Sequence, residues 1–157
     1  YDISSIRSIS HTGAKCPVDV KRKMIEWFGP VFLDAYGASE VGTTCMITSE
    51  EWLRNPGSVG KAVPPFTARI LDDDNNDLPA NTEGRLYFED ATGRGVIYHN
   101  DPEKSAAAHI APGVFTLGEI AYMNEILWIK YPQYHRPYET QRENMLFQTR
   151  VDKTDHY

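Results

Sequence analysis

Two apolar stretches flank one amphipathic segment across very short links, and that spacing restricts the fold more than any other feature of the sequence. Residues 6–10 read as a short strand ending at Gly13, residues 17–28 as a helix, and residues 31–36 as a second strand whose apolar run is broken by one aspartate. In the helix, Pro17 suits the first turn and Val20, Met24, Trp27 and Phe28 recur at i, i+4, i+7 and i+8. Lys21, Arg22 and Lys23 fall mostly on the wet side, and Gly29-Pro30 ends the helix. A strand–helix–strand unit with short links favours parallel pairing, with ligands beyond the C-terminal ends of the strands.

The pattern changes from Gly37. Ser49-Glu50-Glu51-Trp52-Leu53 predicts a short helix with a Ser cap and an acidic first turn, closed by Asn55-Pro56-Gly57. Beyond Pro64-Pro65 the chain becomes β-rich. Residues 67–71 and 84–89 alternate as strands around a polar turn, and residues 95–98 continue the sheet. Asn100 or Asp101 caps a short Ala-rich helix over residues 102–109, and 114–115, 120–123 and 126–129 are further strand-like segments. A division falls near residues 58–66.

With 16 Lys+Arg against 22 Asp+Glu, the chain carries a net charge of −6 and no basic run, which argues against a nucleic-acid partner. No apolar stretch is long enough to span a bilayer, and no signal peptide opens the chain. Cys16 and Cys45 are too few for a disulfide framework, so a reducing, cytoplasmic compartment is expected. Tyr1 opens the chain within an ordered-looking segment, which points to a piece of a longer protein.

Several motifs carry less than they first suggest. Asp72, Asp74, Asn76 and Glu83 match positions 1, 3, 5 and 12 of a calcium loop, but Asp77 stands where the sharp turn wants Gly, Pro79 follows, and the flanks read as strands. A solvated hairpin turn fits better. Gly93-Arg94-Gly95 lacks the third glycine of a dinucleotide loop, and His11, His99 and His109 have no metal-ligand spacing. Cys16 and Cys45 have no positioned base in the sequence that would make either a nucleophile.

Tyr36-Gly37-Ala38-Ser39-Glu40 is more telling, because it follows a strand expected to be parallel. An aromatic ring can stack on a base and a glycine admits close backbone approach. A hydroxyl can meet a phosphate oxygen while a carboxylate holds Mg²⁺ beside it. An ordinary Gly turn with Ser and Glu at a helix cap accounts for the pentapeptide equally well.

Its neighbours decide between the two. Thr12-Gly13-Ala14, Tyr36-Gly37-Ala38-Ser39-Glu40-Val41-Gly42, Pro56-Gly57-Ser58-Val59-Gly60-Lys61, Tyr98-His99-Asn100-Asp101-Pro102-Glu103-Lys104 and Phe115-Thr116-Leu117-Gly118-Glu119 occur in this order. Over roughly residues 1–130 the chain resembles the adenylate-forming enzymes, specifically the acyl-CoA synthetases. The resemblance implies a fragment of their large domain, with an α/β (βαβ) part over residues 1–58, a β-rich, barrel-like subdomain over 59–130, and a divergent tail over 131–157. It also implies their two-step reaction, in which ATP and a small-molecule carboxylic acid give an acyl-adenylate that coenzyme A converts to a thioester.

Residue by residue, the resemblance assigns Gly13 and Ala14 to the loop lining the adenine pocket and Tyr36 to the ring that stacks on adenine. Gly37 and Ala38 continue that motif, Ser39 stands for its phosphate-contacting hydroxyl, and Glu40 for its Mg²⁺-associated carboxylate. Val41 and Gly42 would run beside the acyl channel. Glu119 stands where the family has an aspartate that grips the ribose hydroxyls, and is one methylene longer. The family's glycine-rich phosphate loop, its Asp-Arg hinge and its adenylation lysine have no match in the 157 residues, and neither Lys130 nor Lys153 inherits that role. The expectation is therefore an AMP-binding part of an acyl-CoA synthetase that is inactive by itself, completed by the N- and C-terminal parts of the same enzyme. The alternative is a non-catalytic or degenerate nucleotide-binding remnant.

Overall fold

A computed structural model describes residues 2–131. The parallel pair expected from the opening unit is present: strand β1 (Ile9–His11) lies parallel to β2 (Phe32–Ala38), with His11 opposite Asp34, and helix α1 (Val18–Phe28) connects them. All other pairings are antiparallel. β2 pairs with β3 (Gly42–Thr48), β3 with β4 (Ser58–Ala62), and β4 with the two-residue β9 (Ile129–Lys130). β9 pairs with β8 (Val114–Met123), β8 with β6 (Gly84–Asp90), and β6 with β5 (Phe66–Leu71); the short β7 (His109–Ala111) adds to β8. The strand order is thus β1-β2-β3-β4-β9-β8-β6-β5. Helices α2 (Ser49–Arg54) and α3 (Pro102–Ala107) fill two of the connections.

Helix α1 is where the structure departs most from the periodicity. Its buried residues are Lys21 and Ile25, joined by the partly buried Val18, Met24 and Phe28, whereas Val20 is exposed and Trp27 is 73% exposed. The buried stripe is rotated from the one expected, because Lys21, assigned to the wet face, is only 1% exposed. Its ammonium reaches Asp34 on β2 and lies 4.6 Å from the centroid of the Phe32 ring. A buried charge is tolerated when it is paired and hydrogen-bonded, and here the lone aspartate of β2 supplies the partner. Hydrophobic periodicity cannot see such a pair.

Other boundaries shift for local reasons. α2 is capped by Thr48 rather than Ser49: Thr48 Oγ1 accepts from Glu51 N while the Glu51 carboxylate accepts from Thr48 N, a reciprocal capping box. Ser49 Oγ instead accepts from Phe32 N and donates to Phe32 O. Asp101 caps α3 by accepting from Lys104 N, and His109, expected in that helix, lies in β7. Residues 95–98 are not a strand. The Asp90 carboxylate accepts from Gly95 N and Ser105 Oγ accepts from Tyr98 N, so side chains take donors a ladder would have used. Residues 114–115 and 120–123 are ends of one strand, β8. Of 126–129 only Ile129 is in a strand, because Asn124 Oδ1 accepts from both Ile126 N and Trp128 N and closes a turn.

The Asp72–Asp77 segment turns the hairpin between β5 and β6. Asp72 Oδ1 accepts from Asp74 N and Asn76 N, and Asp77 pairs with Arg69. Backbone donors thus occupy the Asp72 carboxylate, the first of the apparent calcium ligands, and a guanidinium holds Asp77 at the turn.

Two apolar clusters form most of the core, beside a smaller one of Leu71, Tyr87 and Val114. One gathers Cys45, Ile70, Leu86, Phe88, Val96, Phe115, Ala121 and Ile129, with Tyr36, Leu117 and Tyr131 packed against it. The other joins Ile25, Phe32, Ile47, Trp52 and Trp128 beneath α1. Lys21→Ala should leave the mostly buried Asp34 carboxylate with only His11, 3.6 Å away, and cost about 3 kcal/mol in urea unfolding. Arg85→Ala, which breaks the exposed Arg85–Asp73 pair, should leave the midpoint unchanged. Equal effects would contradict the structural role of the buried pair.

Candidate functional site

Tyr36 and Glu119, 83 residues apart in sequence, meet directly: the Tyr36 hydroxyl donates to Glu119 Oε2 at 2.7 Å. Both are delivered by irregular strands. In the β2–β3 ladder Tyr36 faces Cys45 but Gly37 faces Thr43, so Thr44 is an extra residue, and its Oγ1 donates to the Tyr36 carbonyl at 3.2 Å. In the β6–β8 ladder Tyr87 faces Thr116 and Arg85 faces Ile120, which leaves Leu117, Gly118 and Glu119 opposite Leu86 alone. There Thr116 Oγ1 donates to the Leu86 carbonyl at 2.7 Å and accepts from Gly118 N. β-Bulges re-aim side chains, and each motif sits on one secured by a threonine hydroxyl.

The glycines of the two motifs have separate roles. A Cβ on Gly37 would lie 1.9 Å from the Gly42 carbonyl oxygen, so the close approach it permits is to the chain's own β3. Gly118 has φ +96°, a backbone conformation that side chains oppose.

Around Tyr36 the surroundings are aromatic. Its ring centroid lies 6.2 Å from that of Phe88 and 5.6 Å from that of Tyr131. Burial, then the adjacent Tyr131 and Glu119, push the Tyr36 hydroxyl far above the ordinary phenol range. Burial likewise raises the Tyr131 hydroxyl, which is enclosed without a hydrogen-bond partner among the described residues. The Glu119 carboxyl is raised by burial, partly offset by the Tyr36 bond. Cys45 lies in the same core and burial pushes its thiol up to about 12, which keeps it protonated and unsuited to nucleophilic attack.

The other sequence-assigned residues sit nearer the solvent. Ser39 and Glu40 are exposed in the turn between β2 and β3, directly after Ala38, the last residue of β2. Gly13 and Ala14 are exposed just beyond β1, whose His11 is level with Asp34, two residues before Tyr36. Among the described residues no group of three His, Cys, Asp or Glu side chains is arranged to hold a metal. Sequence reasoning missed Thr44 and Tyr131. The β-branched alternation of Gly42–Thr48 would have revealed β3 and hence Thr44; Tyr131 leaves no local signal.

Comparison with known proteins agrees with this architecture. The family model of the AMP-binding enzymes matches residues 1–95, and the chain belongs to that family. It is 34% identical over 114 residues to human mitochondrial acyl-coenzyme A synthetase ACSM1, covering 67% of this chain and 20% of that protein. It is 33% identical over 128 residues to a long-chain-fatty-acid–CoA ligase of Bacillus subtilis, covering 80% and 22%. To luciferin 4-monooxygenase of Photinus pyralis it is 33% identical over 131 residues, covering 80% and 23%. The chain therefore spans about a fifth of the length of these curated relatives.

Among solved structures, the amide bond synthetase McbA of Marinactinospora thermotolerans superposes with a TM-score of 0.73 at 24% identity, over 84% of this chain and 27% of that one. The o-succinylbenzoate CoA synthetase of Bacillus subtilis, in complex with its acyl-adenylate intermediate, does so at 0.70 and 20% identity, over 81% and 26%. The fold is that of the large domain of adenylate-forming enzymes. Among the described residues no helix is long and apolar enough to cross a membrane.

Because burial holds the Glu119 carboxyl above its ordinary value of 4.5, folding favours the protonated form, and the stability this lends is lost as pH rises beyond that value. Glu119→Gln keeps an acceptor for Tyr36 without the charge. Urea unfolding should find the two proteins similar near about pH 4 and the variant more stable near about pH 8. Parallel pH profiles would refute a buried charge at Glu119.

Proposed function

We propose that the chain is the nucleoside-recognising part of an ATP-dependent acyl-CoA synthetase, which activates a carboxylic acid as its adenylate and then transfers the acyl group to coenzyme A. The supporting observation is the hydrogen bond between Tyr36 and Glu119, because it joins the two motifs that the resemblance assigns to adenine and ribose. Relatives named as acyl-CoA synthetases over up to 80% of this chain favour the same reading. The site then lies between an α/β unit of residues 1–58, which brings Tyr36, and a β-rich unit of residues 59–130, which brings Glu119.

In this reading Tyr36 offers its ring to adenine and Glu119 its carboxylate to the ribose hydroxyls. Gly13 and Ala14 border the base, with Gly37 and Ala38 forming the backbone beside it. Ser39 and Glu40 extend from the end of β2 toward the phosphates, where Ser39 donates a hydrogen bond. Glu40 can give one carboxylate to a Mg²⁺ otherwise ligated by phosphate and water, the usual way that ion is held. The ion would neutralise phosphate charge. Adenylation also needs charge stabilisation at the reacting phosphorus, and the phosphate loop and lysine that supply it in the family would come from the rest of the same enzyme.

Isothermal titration with AMP tests the nucleoside assignment on this chain alone. Wild type should bind, and Tyr36→Ala should weaken binding at least about fivefold, the lower end for loss of base stacking on an aromatic ring. Arg85→Ala should bind like wild type. Equal affinity of Tyr36→Ala and wild type would remove Tyr36 from the site and the proposal with it.

A further inference from the structure

The Glu119 carboxylate has two claimants. Within the chain Tyr36 already holds one lone pair of Oε2 at 2.7 Å, so a ligand hydroxyl that takes that lone pair displaces it. The displaced phenolic O–H would sit among packed aromatic rings, and a buried donor without an acceptor is costly. Tyr131 is the neighbour able to receive it. It follows directly on β9, its ring centroid is 5.6 Å from that of Tyr36, and its enclosed hydroxyl makes no hydrogen bond to the described residues. An enclosed hydroxyl that bonds to nothing is uncommon in a folded protein and calls for a reason. Tyr131 also lies outside every motif through which the chain resembles the CoA synthetases.

We infer that Tyr131 is a positioning residue for the nucleoside site: when a ribose hydroxyl takes Glu119, the Tyr36 hydroxyl turns to Tyr131 and is not left unpaired. The inference rests on the nucleoside reading of Tyr36 and Glu119 and adds to it a change of partner inside the chain. In the empty site the Tyr36–Glu119 bond competes with ligand. In the filled site the Tyr36–Tyr131 bond replaces it, and the Tyr36 ring stays available for the base. Tyr131 acts only through Tyr36 and touches no ligand.

A double-mutant cycle with AMP as the probe separates this from simple packing, using variants that keep every ring. Tyr131→Phe should weaken AMP binding about fivefold, the effect of one neutral hydrogen bond, with no fall in melting temperature because the hydroxyl removed is unpartnered. Tyr36→Phe should tighten binding by a similar factor, since nothing then competes for Glu119. In the Tyr36→Phe background, Tyr131→Phe should change nothing. An equal loss in both backgrounds, or no loss in either, overturns the inference.

A ligand-free arm distinguishes its failure from failure of the nucleoside reading. Glu119→Ala removes the acceptor of Tyr36 and should cost more stability when Tyr131 is Phe than when it is Tyr. That coupling without AMP binding keeps the partner change and refutes the nucleoside reading. AMP binding without the coupling refutes the partner change and keeps the nucleoside reading.

Discussion

The arrangement depends on one narrow join. β4 is paired on one side to β3 and on the other to β9, and so links the part of the sheet that carries Tyr36 to the part that carries Glu119. It fits only because Gly60, at φ +104°, has no side chain: a Cβ there would lie 1.9 Å from the Met46 carbonyl oxygen. Ser58 secures the irregular step by donating to the Ile129 carbonyl and accepting from Gly60 N. The Pro-Gly-Ser-Val-Gly-Lys run therefore sets the distance between Tyr36 and Glu119. A side chain at Gly60 would push β3 from β4 and separate the two residues.

The same economy appears in the two bulges. An unbulged ladder alternates its side chains strictly, and a site at the meeting of two strands needs residues that break the alternation. Thr44 and Thr116 do this with one device, a hydroxyl donated to a carbonyl of the bulged ladder. Their placement makes the site a property of the sheet. Ser39 and Glu40, which the nucleoside reading directs toward phosphate, are left to a turn exposed to water, as Gly13 and Ala14 are to the segment beyond β1.

What could be read from the sequence was local. The crossover unit with its parallel pair, the hairpin over Asp72–Asp77 and a cap at Asn100 or Asp101 all follow from turn chemistry and periodicity within neighbouring segments. Tyr36 and Glu119 could be picked out by motif, but their hydrogen bond could not, since it depends on two ladders and the β4 join. The Lys21 inversion has a similar origin: a lysine looks wet until its aspartate is known to lie on the strand beneath it. β4 escaped notice because Gly57 precedes it and Gly60 interrupts it, and glycine in a strand reads as a turn until a bulge explains it.

The three tryptophans are unevenly distributed. Trp52 and Trp128 are buried together in the cluster beneath α1, Trp27 is in water, and the cluster around Tyr36 holds phenylalanine and tyrosine but no tryptophan. Indole emission thus watches the cluster beneath α1, and tyrosine signals watch the cluster around Tyr36. If the two clusters loosen at different temperatures, the two colours of intrinsic fluorescence will part, and a melt followed at the tryptophan wavelength alone would record a protein as intact after the packing around Tyr36 had come apart.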